Sequence, residues 1–162
     1  MILLFVLALL TPISFATTKG KAQAPVKKAA PVGDWNPMPV TAKNSCKVKG
    51  KKKEFVIITD FDNDGTLDIA RLLENKKTHK VRLALFMNGA EEPKFLFEDD
   101  ATQGTNYLML ALPGDRTALV AGKKTKLAVK LPSMTYGLCG GRELLYQWDE
   151  KQGKFAAATM AN

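Results

Sequence analysis

Between Asp60 and Asp68 the chain reads Asp-Phe-Asp-Asn-Asp-Gly-Thr-Leu-Asp, with carboxylates at loop positions 1, 3, 5 and 9 and glycine at 6. Alternation at the first three acids lets a tightly curled backbone turn Asp60, Asp62 and Asp64 toward one point. Gly65 permits the sharp bend, the Thr66 carbonyl can add an oxygen, and Asp68 closes the set. An all-oxygen donor set of this kind suits a hard divalent cation, and Ca²⁺ above all. Without a cation, four crowded carboxylates would repel one another. An EF-hand is excluded, because its twelfth position needs a bidentate Glu and here holds Arg71. The incoming Phe55-Val-Ile-Ile is also strand-like rather than helical.

The stretch from Phe55 through Asp60, Asp62, Asp64, Gly65 and Asp68 to Ala70 resembles the strand–loop–strand calcium motif of FG-GAP/VCBS-type repeats. In that family DxDxDGxxD joins two antiparallel strands of a propeller blade. The resemblance implies Ca²⁺ held by Asp60, Asp62, Asp64, the Thr66 carbonyl and Asp68. The motif occurs once, so a full propeller is not expected. The closing Trp148-Asp149…Gly153-Lys154-Phe155 is similar to the last strands of small exported bacterial proteins carrying one such motif.

The same residues also support a rival reading. Asp62-Asn63-Asp64-Gly65-Thr66-Leu67 is similar to the first motif of haloacid-dehalogenase-type phosphatases. That resemblance implies Asp62 as nucleophile, Asp64 as acid/base, Mg²⁺ as cofactor, and Glu98-Asp99-Asp100 as an acidic metal motif. Against it, Thr59-Asp60-Phe61 separates Asp62 from the apolar strand, and the chain is short for a doubly wound sheet. The only His, His79, lies in a Lys-rich turn, which excludes a His-dependent triad. Ser133–Gly141 lacks the Gly-Lys-Ser/Thr ending of a phosphate loop. Tyr136, Tyr146 and Trp148 read as core or hairpin residues rather than a ligand surface.

The elements that must carry the loop are strands. Phe55–Ile58, Val81–Met87, Lys94–Phe97, Tyr107–Leu112, Thr117–Val120, Lys126–Leu131 and Glu143–Trp148 are β-branched, aromatic or alternating runs. Asn88-Gly89, Pro113-Gly114-Asp115, Gly122 and Gly140-Gly141 punctuate them. Leu67–Lys76 fits either a strand or a helix with Ile69, Leu72 and Leu73 on one face. The expected fold is all-β, an antiparallel meander with propeller-blade-like sheets and no closed propeller.

The chain has 162 residues, 46% apolar, 8% aromatic and 25% charged, which excludes wholesale disorder and collagen. Three segments are expected: a signal peptide over 1–16, a basic linker over 17–43, and a β domain over 44–162. Residues 2–10 are an unbroken apolar run, and Ser14-Phe15-Ala16 sets a cleavage site after Ala16, with Ala24 as the alternative. The run is shorter than the roughly 20 residues that span a membrane. Secretion or a periplasmic location follows.

In an oxidising compartment Cys46 and Cys139 are expected to pair. That bond would close a loop of about 94 residues, worth about 4–5 kcal/mol in the chain-entropy account. Of the +8 net charge, all is carried by residues 17–59, where ten lysines face two acids. Residues 60–162 hold equal numbers of basic and acidic side chains. The basic arm keeps the chain soluble or touches an anionic surface, and Lys49–Lys53 guards a strand edge. Nucleic acid is not an expected partner, since no aromatics interleave the lysines. The sequence is read as a non-enzymatic binding module, its partner another envelope protein or a glycan.

Overall fold

The computed structural model describes residues 31–38, 54–100 and 106–161, and these form eleven strands and no helix. The all-β antiparallel architecture is as the sequence predicts. Neither sheet closes into a barrel or propeller.

Sheet A contains β1 (Trp35–Pro37), β2 (Val56–Thr59), β3 (Asp68–Asn75), β4 (Lys80–Phe86) and β5 (Lys94–Asp100). One edge of β3 is divided between two partners. β2 pairs Val56–Thr59 with Arg71–Asp68, and β1 pairs Trp35–Pro37 with Asn75–Leu73. The other edge pairs with β4, and β4 with β5. The segment Leu67–Lys76 is therefore a strand where the sequence left helix open. Leu72 and Leu73 are both buried on opposite faces, which a two-sided strand permits and a one-sided amphipathic helix does not. Leu72 enters the main core, while Leu73 lies in register with Pro37 and Arg82 on the outer face.

That outer face is built around a cation. The Arg82 guanidinium sits 4.1 Å from the Trp35 ring centre and 4.8 Å from that of Phe95, and donates to Glu98 at 2.6 Å. A bulge between Leu83 and Ala84 sends Phe95 to this face and Phe97 to the core. Within the segment read as linker over 17–43, residues 31–38 are described. Residues 31–38 carry little hydrophobic periodicity, yet they form part of sheet A, because Trp35 covers Arg82 and Met38 is buried in the core.

Sheet B contains β6 (Asn106–Ala111), β7 (Gly114–Val120), β8 (Lys123–Val129), β9 (Ser133–Leu138), β10 (Glu143–Asp149) and β11 (Lys154–Met160), in the order β6-β9-β10-β11-β7-β8. β9 to β11 form a plain meander. The β7–β8 hairpin swings to the far edge and meets β11 through Thr159↔Leu119, Met160↔Ala118 and one further bond, Ala161 N–H to Thr117 O at 3.0 Å.

The sheets share one core. Ile57, Ala70, Leu72, Val81, Leu83 and Leu85 from sheet A meet Leu108, Met134, Tyr136 and Tyr146 from sheet B. Glu54 and Leu108 exchange backbone bonds of 2.9 and 2.8 Å and tie the two sheets at the entrance to β2. A smaller cluster of Ala111, Val129 and Leu145 fills the other face of sheet B. Tyr136 and Tyr146 are buried in the core, and Trp148 packs edge-on to Phe155 at 5.4 Å.

Cys139, in the turn after β9, is disulfide-bonded. Its sequence-assigned partner Cys46 lies outside the described residues, as do the signal segment 1–16, residues 17–30 and 39–43 of the linker, and Lys49–Lys53. No helix among the described residues is long and apolar enough to cross a membrane.

Candidate metal centre

The acidic loop joins β2 to β3, two antiparallel neighbours whose last rung is Thr59↔Asp68. This rung brings the ends of the loop together, so Asp60 and Asp68 start side by side. Between them the backbone curls through positive φ at Asn63 (61°) and Gly65 (87°). Both are residue types that tolerate the left-handed region. Gly65 needs it more, because φ there exceeds the left-handed basin of ordinary residues.

The result is a convergence of carboxylates. One oxygen each from Asp60, Asp62 and Asp68 lies within 4.8 Å of the others. Backbone N–H groups hold the set in place. Asp60 accepts from Asp64 N–H at 3.2 Å and Gly65 N–H at 2.8 Å, and Asp62 from Asp64 N–H at 3.3 Å. Asp68, 0% exposed, accepts from Phe61 N–H and from Asn88 N–H, each at 2.9 Å. Its two oxygens therefore lock the start of the loop to the β4–β5 turn.

Asp64 stands apart from the converging group. Its Oδ1 accepts from Thr66 N–H at 2.7 Å in a local turn, and the side chain is exposed. Of the five ligands read from sequence, the described geometry thus gathers Asp60, Asp62 and Asp68. It shows Thr66 as an N–H donor to Asp64.

Electrostatics agree with a cation-shaped demand. Burial, above all, pushes the Asp68 carboxyl upward, reinforced by the charges of Asp64 and Asp60 and opposed by its two N–H donors. Asp62 is also raised, first by desolvation and then by the charges of Asp68, Asp64 and Asp60. The donors are all oxygen, with no His or Cys in the group, which fits a hard cation and not zinc. This group could hold a metal ion.

A pH dependence follows from those shifts. In the metal-free protein, protons bind Asp62 and Asp68 more tightly in the folded state than in the unfolded chain. Their contribution therefore favours the fold at acid pH and is lost as pH rises through the raised values. A bound cation reverses this, since it needs both groups ionised. Stabilisation by metal is expected to be small near pH 4 and to grow toward pH 7. Urea midpoints with and without chelator across that range check it; a metal increment independent of pH would contradict it.

Two residues that the sequence reading did not assign complete the site. Phe61, fully buried between two acids in sequence, packs edge-on against Phe155 of β11 at 5.7 Å. It anchors the loop across both sheets. An aromatic inside an acidic loop is the signal for such an anchor. Asn88 was legible only as a turn residue, and its N–H bond to Asp68 spans 20 positions that no local pattern reveals.

The residues of the phosphatase resemblance are placed as follows. Asp62 follows an antiparallel edge element in an all-β structure. Asp64 serves its own turn, Glu98 is paired with Lys80 and Arg82, and Asp99 with Arg142 at 2.9 Å. Comparison with family models, curated proteins and solved structures gave no match.

Proposed function

We propose that the protein is an exported, non-enzymatic β domain whose loop 60–68 binds one Ca²⁺, and that it works as a binding module of the cell envelope or secreted fraction. The observation that carries this reading is the convergence of Asp60, Asp62 and buried Asp68 in a loop pinned by backbone N–H donors. Resemblance of that loop to the FG-GAP/VCBS calcium motif adds support, with the difference that a single copy sits in a two-sheet fold. The role of the ion is structural. It neutralises the acids, ties β2 to β3, and through Phe61 holds the loop against β11. Partners are another envelope protein or a glycan, met by a surface outside the loop. Export rests on the apolar run 2–10 and the small residues before Ala16.

Ca²⁺ specificity is supported by the irregular curl of the loop, which suits a large ion of variable coordination better than Mg²⁺ with its octahedral demand. Extracellular Ca²⁺ modules bind at about 10⁻⁴–10⁻³ M. At a hundredfold excess over Kd, linkage predicts about 2.7 kcal/mol of added stability. Thermal unfolding in Ca²⁺, in Mg²⁺ and in chelator tests this. A rise of several degrees with Ca²⁺ and little with Mg²⁺ is expected. Equal midpoints in Ca²⁺ and chelator would remove the basis of the reading.

A further inference from the structure

The β7–β8 hairpin carries the least buried surface of any strand pair in sheet B. Ala118 and Val129 are its only buried side chains. Its tip turns through Ala121 (φ 49°) and Gly122 (φ 77°), the left-handed pair of a rigid two-residue hairpin loop. The two rungs beside the turn are Val120↔Lys123 and Leu119↔Lys124, followed after one more rung by Thr117↔Lys126. Leu119 is 37% exposed and Val120 57%, so each face of the tip carries one exposed apolar side chain across the ladder from a lysine. None of Lys123, Lys124 and Lys126 pairs with a carboxylate among the described residues. Arg116, nearer the base, is already spent on the carbonyls of Leu112 and Asp115.

We propose that the β7–β8 tip is a docking element for an anionic lipid bilayer, with Leu119 and Val120 entering the interface and Lys123, Lys124 and Lys126 meeting lipid phosphates. The charge is complementary to such a surface, and each lysine near it contributes about a fivefold gain in binding. Lysine stems can lie along the apolar boundary while their amines stay at headgroup level, which is the geometry the two tip rungs provide.

Two other roles explain only part of the pattern. Lysines on an edge strand discourage pairing with a second sheet, but that purpose gains nothing from exposed Leu119 and Val120. A soluble polyanion would reward the lysines and leave the apolar pair in water. A bilayer surface offers both phosphate and hydrocarbon and so uses both kinds of residue. This site is separate from the acidic loop and does not depend on the calcium reading.

The test uses the whole chain that remains after cleavage at Ala16, residues 17–162, so that the apolar run 2–10 adds no vesicle binding of its own while the basic arm keeps its charge-driven share. Cosedimentation is measured with phosphatidylglycerol–phosphatidylcholine vesicles, with phosphatidylcholine alone, and with polyphosphate as a competitor lacking hydrocarbon. Leu119→Gln/Val120→Gln is expected to weaken vesicle binding about tenfold or more and to leave polyphosphate binding unchanged. Lys123→Gln/Lys124→Gln should weaken both, by about fivefold per lysine on vesicles. Binding to phosphatidylcholine alone should be weak in every case. As a second measurement, an environment-sensitive fluorophore on Ala121→Cys should shift to the blue with anionic vesicles and not with polyphosphate. Unchanged vesicle affinity in the Leu119/Val120 variant, or no blue shift, would overturn the proposal and assign any binding to charge alone.

Discussion

Gly137→Ala is expected to destabilise the protein by about 3 kcal/mol or more, near the top of the range for overpacking a core. A Cβ at this position would lie 2.2 Å from Tyr107 Cζ, 2.4 Å from its hydroxyl oxygen and 2.6 Å from Cε2. The ring lies flat across the glycine because Tyr107 and Gly137 are register partners on β6 and β9. The next strand brings Glu143 opposite Gly137, and the Tyr107 hydroxyl donates to its carboxylate at 2.6 Å. Moving the ring to admit a methyl group therefore breaks a charge-assisted bond as well as core packing. Gly153→Ala separates the two uses of glycine. Gly153 has φ 58° and nothing within 4 Å of its would-be Cβ, so only backbone strain of about 1 kcal/mol is expected there. Urea midpoints of the two variants measure the difference. Equal, small losses would show that the Tyr107 ring does not occupy the space above Gly137.

The second large effect belongs to Asp68. Asp68→Ala removes the acceptor for two backbone donors, the buried Phe61 N–H and the part-buried Asn88 N–H. An unsatisfied buried donor costs about 1–3 kcal/mol and the Asn88 N–H can turn to water, so about 2 kcal/mol is expected even in chelator. In Ca²⁺ the loss should be larger by the whole metal increment. Asp62→Asn behaves differently. Asp62 accepts one long bond, and desolvation first and neighbouring acids second raise its carboxyl, so in chelator its replacement should leave the midpoint unchanged or higher. In Ca²⁺ the same change should lower the midpoint. Denaturant curves of both variants in the two conditions give the four numbers. An Asp68→Ala protein as stable as the parent in chelator would mean that those two donors find other acceptors.

Most of the fold was legible because its signals are local. Alternation in Val81–Met87 and the Asn88-Gly89 turn lie within a few residues of the features they specify, and the strands appear where those runs occur. The acidic loop was legible for the same reason: its spacing is short and its acids must share a small volume. What stayed hidden depends on distant neighbours. Leu67–Lys76 matched two periods, and only coverage of both faces of β3 decided between them. Trp35 sits among Pro, Asp and Gly, and its place against β3 depends on Arg82 and Phe95, far along the chain. The placement of β7–β8 beyond β11 is set by two rungs that carry no pattern. Within the site, Asp64 looked equivalent to Asp60 and Asp62, yet the curl at Gly65 turns it to Thr66 N–H. Spacing names the acids but does not rank them.

The central claim is that the converged carboxylates hold one Ca²⁺. Isothermal titration of the chelator-stripped protein with Ca²⁺, beside Asp60→Asn/Asp62→Asn, tests it most directly. One equivalent bound with a Kd of about 10⁻³ M or tighter, lost in the double variant, is the predicted result. No saturable binding in the parent, or binding unchanged in the double variant, would contradict the account.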